Sequence, residues 1–324
     1  MDLFFVLSGF LITDILLNTV GKPGFLKKFY LRRMLRIFPL YYLLLIICLI
    51  ILPLMGALQG QMGYFTTNQW WFWLYFQNWL YVIHPPEQNN LLLHLWSLAV
   101  EEQFYIVWPF IILLVKKIKV LFWIAITLLI GIMITRSLLW VTNTEGLQYF
   151  NLYIYTRIDG ICIGCALALL QRINPGLISK NISIIVFAFA ALNFSFYFLN
   201  RVNNFSFPYF PFIGYTTFAI LFAILVDECI VNSNGWIARL CNIRPLRFFG
   251  KISYGFYIIH WPVYKLLNDK ILSWVKLNWI ETEYYAQITS AITSTLLAVI
   301  LSVLSFYLFE ARFLKLKNNW RASK

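Results

Sequence analysis

Apolar residues run along this chain in blocks of about twenty, each bounded by short polar or basic stretches. Nine blocks stand out, at roughly 3–20, 37–55, 94–115, 119–136, 156–172, 182–200, 208–226, 250–268 and 287–309. In lipid every backbone N–H and C=O must be satisfied within the segment, which a helix does and a lone strand does not. The alternating ten-residue segments of a membrane β-barrel are absent. The pattern therefore predicts an all-α fold, a polytopic helical membrane protein of about nine transmembrane helices forming one domain over 1–324. A tenth apolar and aromatic stretch, 70–82, is too short to cross and is rich in Trp and Tyr, so it is expected to lie as one interfacial helix.

Polar residues inside these blocks matter more than those between them. The segment His-Leu-Trp-Ser-Leu-Ala-Val-Glu-Glu-Gln-Phe-Tyr-Ile-Val-Trp-Pro-Phe, 94–110, carries two adjacent carboxylates. At about 100° per residue, His94, Ser97, Glu101, Tyr105 and Trp108 share one helical stripe, and Glu102 points about a quarter-turn away. Glu101 lies roughly 10 Å along the helix from His94 at about 1.5 Å per residue. A carboxylate at that depth costs roughly 2.5–3.5 kcal/mol or more. It is either a working group or one satisfied by an Arg or Tyr of another helix.

A second polar helix reads Gly250-Lys-Ile-Ser-Tyr-Gly-Phe-Tyr-Ile-Ile-His-Trp-Pro, with Ser253, Tyr257, His260 and Tyr264 on one face. His260 falls roughly 15 Å from the nearer helix end, close to the bilayer midplane, and Pro262 is expected to kink the helix. Such a His suits proton transfer or ligand positioning, or is a neutral ring bonded to a Tyr or Glu. In Tyr155-Thr-Arg-Ile-Asp-Gly-Ile-Cys-Ile-Gly-Cys, Arg157 and Asp159 stand two apart, so each is expected to pair with another helix. Gly160, Gly164 and Ala168 form a small-residue stripe that favours close helix packing. Cys162 and Cys165 make a single C-x-x-C, read as small buried helix residues rather than a metal or redox pair. The blocks 182–200 and 208–226 are Phe-rich and uncharged.

Charge fixes orientation. The chain has a formal net charge of +13 and 26 Lys plus Arg. Twenty of these 26 fall in alternate connections and the C-terminal tail, which the positive-inside rule places in the cytoplasm. No soluble basic domain gathers them, so nucleic acid is not an expected partner. The N-terminus is then outside. Residues 3–17 are apolar with no basic n-region, which is not a signal peptide, and an outside start predicts an earlier inside-to-outside helix. Between the first two blocks, Lys28, Arg32 and Arg36 recur at i, i+4 and i+8 with Arg33 beside them. This cytoplasmic face suits phosphates, which Arg grips bidentately, or serves topology and lipid headgroups. Three His without a tight cluster predict no metal site, and no G-x-S-x-G, P-loop or H-E-x-x-H is present.

Four motifs occur in order: Asp2-Leu-Phe-Phe-Val-Leu-Ser-Gly-Phe-Leu-Ile, Phe29-Tyr-Leu-Arg-Arg-Met-Leu-Arg-Ile-Phe-Pro-Leu-Tyr, Ser97-Leu-Ala-Val-Glu-Glu-Gln-Phe-Tyr and Gly250-Lys-Ile-Ser-Tyr-Gly-Phe-Tyr-Ile-Ile-His-Trp-Pro. With Tyr307-Leu-Phe-Glu310 near the end, the whole chain resembles acyltransferase family 3, bacterial membrane enzymes that O-acylate cell-surface glycans. The resemblance implies acyl-CoA as co-substrate with no permanently bound cofactor. It implies membrane lipids as surroundings, and a surface polysaccharide or polyprenyl-linked glycan as acceptor. Arg32, Arg33 and Arg36 match the family's R-R-x-x-R motif for the donor's phosphates. Glu101 and Glu102 match its acidic pair, and with His260 they are the expected catalytic residues. His94, Ser97, Arg157, Asp159, Ser253 and Tyr257 are expected to support them. The family's first helix, which bears an Arg and a key His, has no counterpart here, which agrees with the topology argument. A valine start codon read as Met1 would explain this. The alternatives are an inactive truncated acyltransferase, or a non-enzymatic carrier or flippase of glycan precursors.

Overall fold

The computed structural model describes residues 1–56, 62–86, 90–142, 154–202, 209, 213–278 and 282–322. Parts of the expected block 208–226 and of the outer loop, and Lys324, lie outside the described residues. Nine helices of fifteen residues or more occur among the described residues, and each overlaps one of the apolar blocks. In chain order they are α1 (Asp2–Thr19), α2 (Phe25–Ile46), α3 (Trp96–Val115), α4 (Ile118–Thr142), α5 (Asp159–Ile173), α6 (Ile182–Val202), α7 (Tyr215–Val231), α8 (Arg244–Asn278) and α9 (Glu283–Ser305). The protein is an all-α helical membrane protein. Five stretches are long and apolar enough to cross a bilayer: Asp2–Thr19, Phe25–Leu54, Leu93–Val115, Ile118–Leu139 and Glu283–Leu316. On α6, Ile184, Phe187, Phe194 and Phe198 are exposed, as a lipid-facing surface requires.

Two local expectations are corrected. The stretch 70–82 is not one helix: Met62–Trp73 and Gln77–Ile83 are separate, and the break falls at Tyr75, whose φ of 59° no α-helix continues. His94 is not on the α3 stripe. It belongs to a tighter helical turn, Leu93–Leu95, which winds about 120° per residue and so shifts the register before α3 begins. Pro262 lies inside α8, which stays helical on both sides of it.

The chain folds as two compact units. One comprises Met1–Phe25, Tyr81–Ile83 and Trp96–Ile243; the other comprises Leu26–Leu80, His84–Leu95 and Arg244–Lys324. In the first unit the tightest seam joins α1 to α5. A Cβ on Gly9 would overlap the main-chain oxygen of Ile161, and one on Gly164 would overlap that of Val6. The predicted stripe of small residues on α5 thus meets a glycine on α1. Val6, Ile163, Leu167, Ala219 and Ala223 close the apolar core between α1, α5 and α7. In the second unit α8 and α9 run antiparallel. Ser290 Oγ donates to Asn268 Oδ1 at 2.7 Å, and Gly255 lies near the Ser302 carbonyl. The buried face of α9 is Ala286, Ser290, Ser294, Ala298 and Ser302, a small residue at each turn.

Gly164→Ala should lower thermal stability by at least about 1–3 kcal/mol, because the obstructing atom is main chain and cannot rotate away. Gly131→Ala on α4, where nothing lies within 4 Å of the new methyl, should be neutral or stabilising by roughly 0.5–1 kcal/mol. Thermal unfolding of the two variants in detergent checks the contrast.

Candidate functional site

Each unit gathers its own set of the expected site residues. In the first unit, α3 presents Ser97, Glu102, Tyr105 and Trp108 as buried, while Glu101 is partly buried. The deeper carboxylate is therefore Glu102, about a quarter-turn from Glu101. Tyr105 and Trp108 of the predicted stripe face α1. Tyr105 Oη donates to Glu101 Oε2 at 3.0 Å and is hydrogen-bonded to Ser8 Oγ as well. One turn further, Trp108 Nε1 donates to Thr13 Oγ1 at 2.9 Å. A phenol that holds both a carboxylate and a serine hydroxyl fixes the carboxylate's orientation.

The charges at the start of α5 and in the short helical turn before it, Ile154–Arg157, pair with other helices. Arg157 Nη2 donates to Asp2 Oδ1 at 2.7 Å, and Asp159 Oδ2 accepts from Arg136 Nη1 at 2.8 Å. Arg136 also donates to Thr216 Oγ1 at 2.6 Å. The guanidinium of Arg157 lies 3.8 Å above the Tyr215 ring. Arg136, the last residue of the block 119–136, is wholly buried. Asp227 was missed, since it falls just past the block 208–226. It is buried at the end of α7, accepting from Gln171 and, at 2.9 Å, from Ser179 Oγ. An acid one residue beyond an apolar block was the available signal. Cys162 and Cys165 are buried free thiols packed in α5.

The second unit holds the histidines and the arginine face. His94 Nε2 lies 3.1 Å from the Ile258 carbonyl. A carbonyl only accepts, so Nε2 carries the proton and Nδ1 is the acceptor nitrogen. That Nδ1 is buried with no hydrogen-bond partner among the described residues. His260 Nδ1 lies 3.0 Å and 2.8 Å from the carbonyls of Phe256 and Tyr257, so its Nε2 is the acceptor. The two rings stand 5.5 Å apart by their centroids, and Tyr257 Oη donates to the main-chain oxygen of His94. Ser253 Oγ, by contrast, is turned onto its own helix, donating to the Gly250 carbonyl at 3.0 Å.

On α2, Arg32 and Arg33 are partly buried and Arg36 is exposed. Tyr254 Oη donates to the Ile37 carbonyl at 2.6 Å, which ties α2 to α8. Arg36 is close enough to Glu310 for their charges to interact. Glu310 closes a widened helical turn, Phe306–Glu310, where Ser305 Oγ donates to Oε1 at 3.0 Å. It is an acid the sequence reading noted only as the end of a motif.

Comparison with known proteins identifies the family. The acyltransferase domain family matches residues 1–310. Peptidoglycan O-acetyltransferase OatA of Listeria monocytogenes is 30% identical over 289 residues, covering 82% of this chain and 44% of its own length. YrhL of Bacillus subtilis, provisionally named a peptidoglycan O-acetyltransferase, is 30% identical over 81% of this chain and 43% of its own length. A provisionally named O-acetyltransferase of Staphylococcus aureus is 28% identical over 100% of this chain and 54% of its own length. The chain thus spans about half the length of these curated relatives. No solved structure matches it.

Arg136→Met should cost about 3–5 kcal/mol, because it leaves the Asp159 carboxylate buried without its cation. Adding Asp159→Leu should recover most of that loss, since a buried pair replaced whole by apolar groups is near neutral. Unfolding midpoints of the single and double variants give the comparison.

Proposed function

The chain belongs to acyltransferase family 3, and from that membership we propose a membrane O-acyltransferase that moves an acyl group, most simply acetyl, from cytoplasmic acyl-CoA to a hydroxyl of a cell-surface polysaccharide or its lipid-linked precursor. The proposed location is the cytoplasmic membrane of a bacterium, with the C-terminus in the cytoplasm and the first residue of this sequence outside. The bias of Lys and Arg between alternate connections supports that orientation.

The observation that carries the reading is the Ser8–Tyr105–Glu101 network on apolar helices. Acyl transfer to a hydroxyl needs a group that takes the hydroxyl proton as the oxygen attacks the thioester carbonyl. A carboxylate oriented by a phenol within a lipid-level helix meets that need. Glu102, deeper in the same helix, is proposed to tune the charge of the pair. His260 is the second proposed base, since carbonyls hold its Nδ1 proton and leave Nε2 as a proton acceptor. Arg32, Arg33 and Arg36 are proposed to hold the phosphates of CoA at the cytoplasmic end. A carrier or flippase would account for buried acids and histidines as a proton relay, but gives no use for a phosphate-suited arginine face.

Glu101→Gln keeps the shape and the acceptor oxygen for Tyr105 but removes the base. In membranes of cells making the full chain, acetyl transfer from acetyl-CoA to envelope glycan should fall by about 10²–10⁴-fold at normal protein level. Activity within a few-fold of the parent would make Glu101 a packing residue.

A further inference from the structure

Arg157 is 3% exposed, yet only its Nη2 has a hydrogen-bond partner, Asp2 Oδ1 at 2.7 Å. Its Nε and Nη1 are buried and make no hydrogen bond among the described residues. That is three N–H donors of a charged group left without acceptors there, an unfavourable state for a buried site. Buried donors left open in this way ask for a ligand oxygen.

The surroundings say which kind. Tyr215 covers one face of the guanidinium at 3.8 Å, and Trp96 and Phe5 stand 5.7 Å and 5.8 Å from its carbon. Asp2, Trp96 and Tyr215 are partly exposed, so the buried Arg157 is approached past one carboxylate and two aromatic rings. The charge of Arg157 is already balanced by Asp2, and that of Arg136 by Asp159. A second anion would be one negative charge too many. A neutral molecule rich in oxygen fits better: its hydroxyl and carbonyl oxygens accept from Nε and Nη1, its hydroxyl protons go to the Asp2 carboxylate, and its C–H faces lie on Trp96 and Tyr215. Those are the demands of a pyranose ring.

Position supports this. Asp2, Phe5 and Ser8 follow one another along α1, contacting Arg157, Trp96 and the Tyr105–Glu101 network in turn. Asp2 and Ser8 are about 9 Å apart along the helix axis at about 1.5 Å per residue. A sugar held at one end of that span can present a hydroxyl, its own or a neighbouring ring's, at the other.

We infer that Arg157 and Asp2, flanked by Tyr215 and Trp96, form the subsite that binds a neutral pyranose ring of the acceptor glycan next to Glu101. The inference rests on the acyltransferase reading above. The full chain in membranes is assayed with acetyl-CoA and with glycan strands released from the producing cells' own envelope, varying each in turn. Arg157→Lys keeps the ion pair with Asp2 but loses the planar fork, so it should fold. It should raise the KM for glycan by about tenfold, equivalent to about 1.4 kcal/mol, and leave the KM for acetyl-CoA where it was. Asp2→Asn should move the same constant in the same direction. If wild type transfers and both variants keep the parent's glycan KM, or lose kcat and thermal stability together with KM unmoved, the residues are structural and the subsite is wrong. If wild type itself transfers nothing to glycan, the acyltransferase reading fails and the subsite with it.

Discussion

The first unit depends on how closely α1 and α5 approach. Gly9 and Gly164 let one backbone rest on the other, with main-chain oxygens where any Cβ would have to sit. Lipid gives helices no hydrophobic reason to associate, so van der Waals contact at this distance is what holds them. The polar groups then follow from geometry. Asp2, at the start of α1, meets Arg157 just before α5 begins, and Cys165 donates to the Gly9 carbonyl further along the same seam. Without the glycines the charges of α1 and α5 would be stranded in an apolar medium, where each costs several kcal/mol.

Charge burial in this unit is systematic. Arg136, Arg157, Asp159 and Asp227 are all nearly inaccessible, and each has at least one partner on another element. Three of the four contribute to ion pairs that cancel locally, which is how an apolar fold tolerates them. The second unit solves a related problem with backbone carbonyls. His94 and His260 each give one ring proton to a main-chain oxygen, so each ring is held in a single tautomer with its other nitrogen as acceptor.

Helix existence was legible because blocks of about twenty apolar residues leave few alternatives. So were the α3 stripe and the split partnership of Arg157 and Asp159, since both follow from 3.6 residues per turn. The spacing of Gly160 and Gly164 announced a close seam but not its partner, because Gly9 lies outside any repeat in α1. Three features escaped. Tyr75 breaks the aromatic stretch through a positive φ that no composition rule assigns to tyrosine. His94 left its stripe because a single tighter turn rotates the register. Arg136 and Asp227 sit at the ends of apolar blocks, where a hydropathy pattern cannot tell a loop charge from a buried one. Only packing decides between them.

The proposed activity carries an acyl group from a donor on one side of the membrane to an acceptor on the other. Right-side-out vesicles containing the full chain, loaded with radiolabelled acetyl-CoA and supplied with envelope glycan outside, test it most directly. The account predicts label on the external glycan, and none when the vesicles lack the protein. Label that appears only after the vesicles are broken, when donor and glycan share one compartment, would contradict transfer across the membrane.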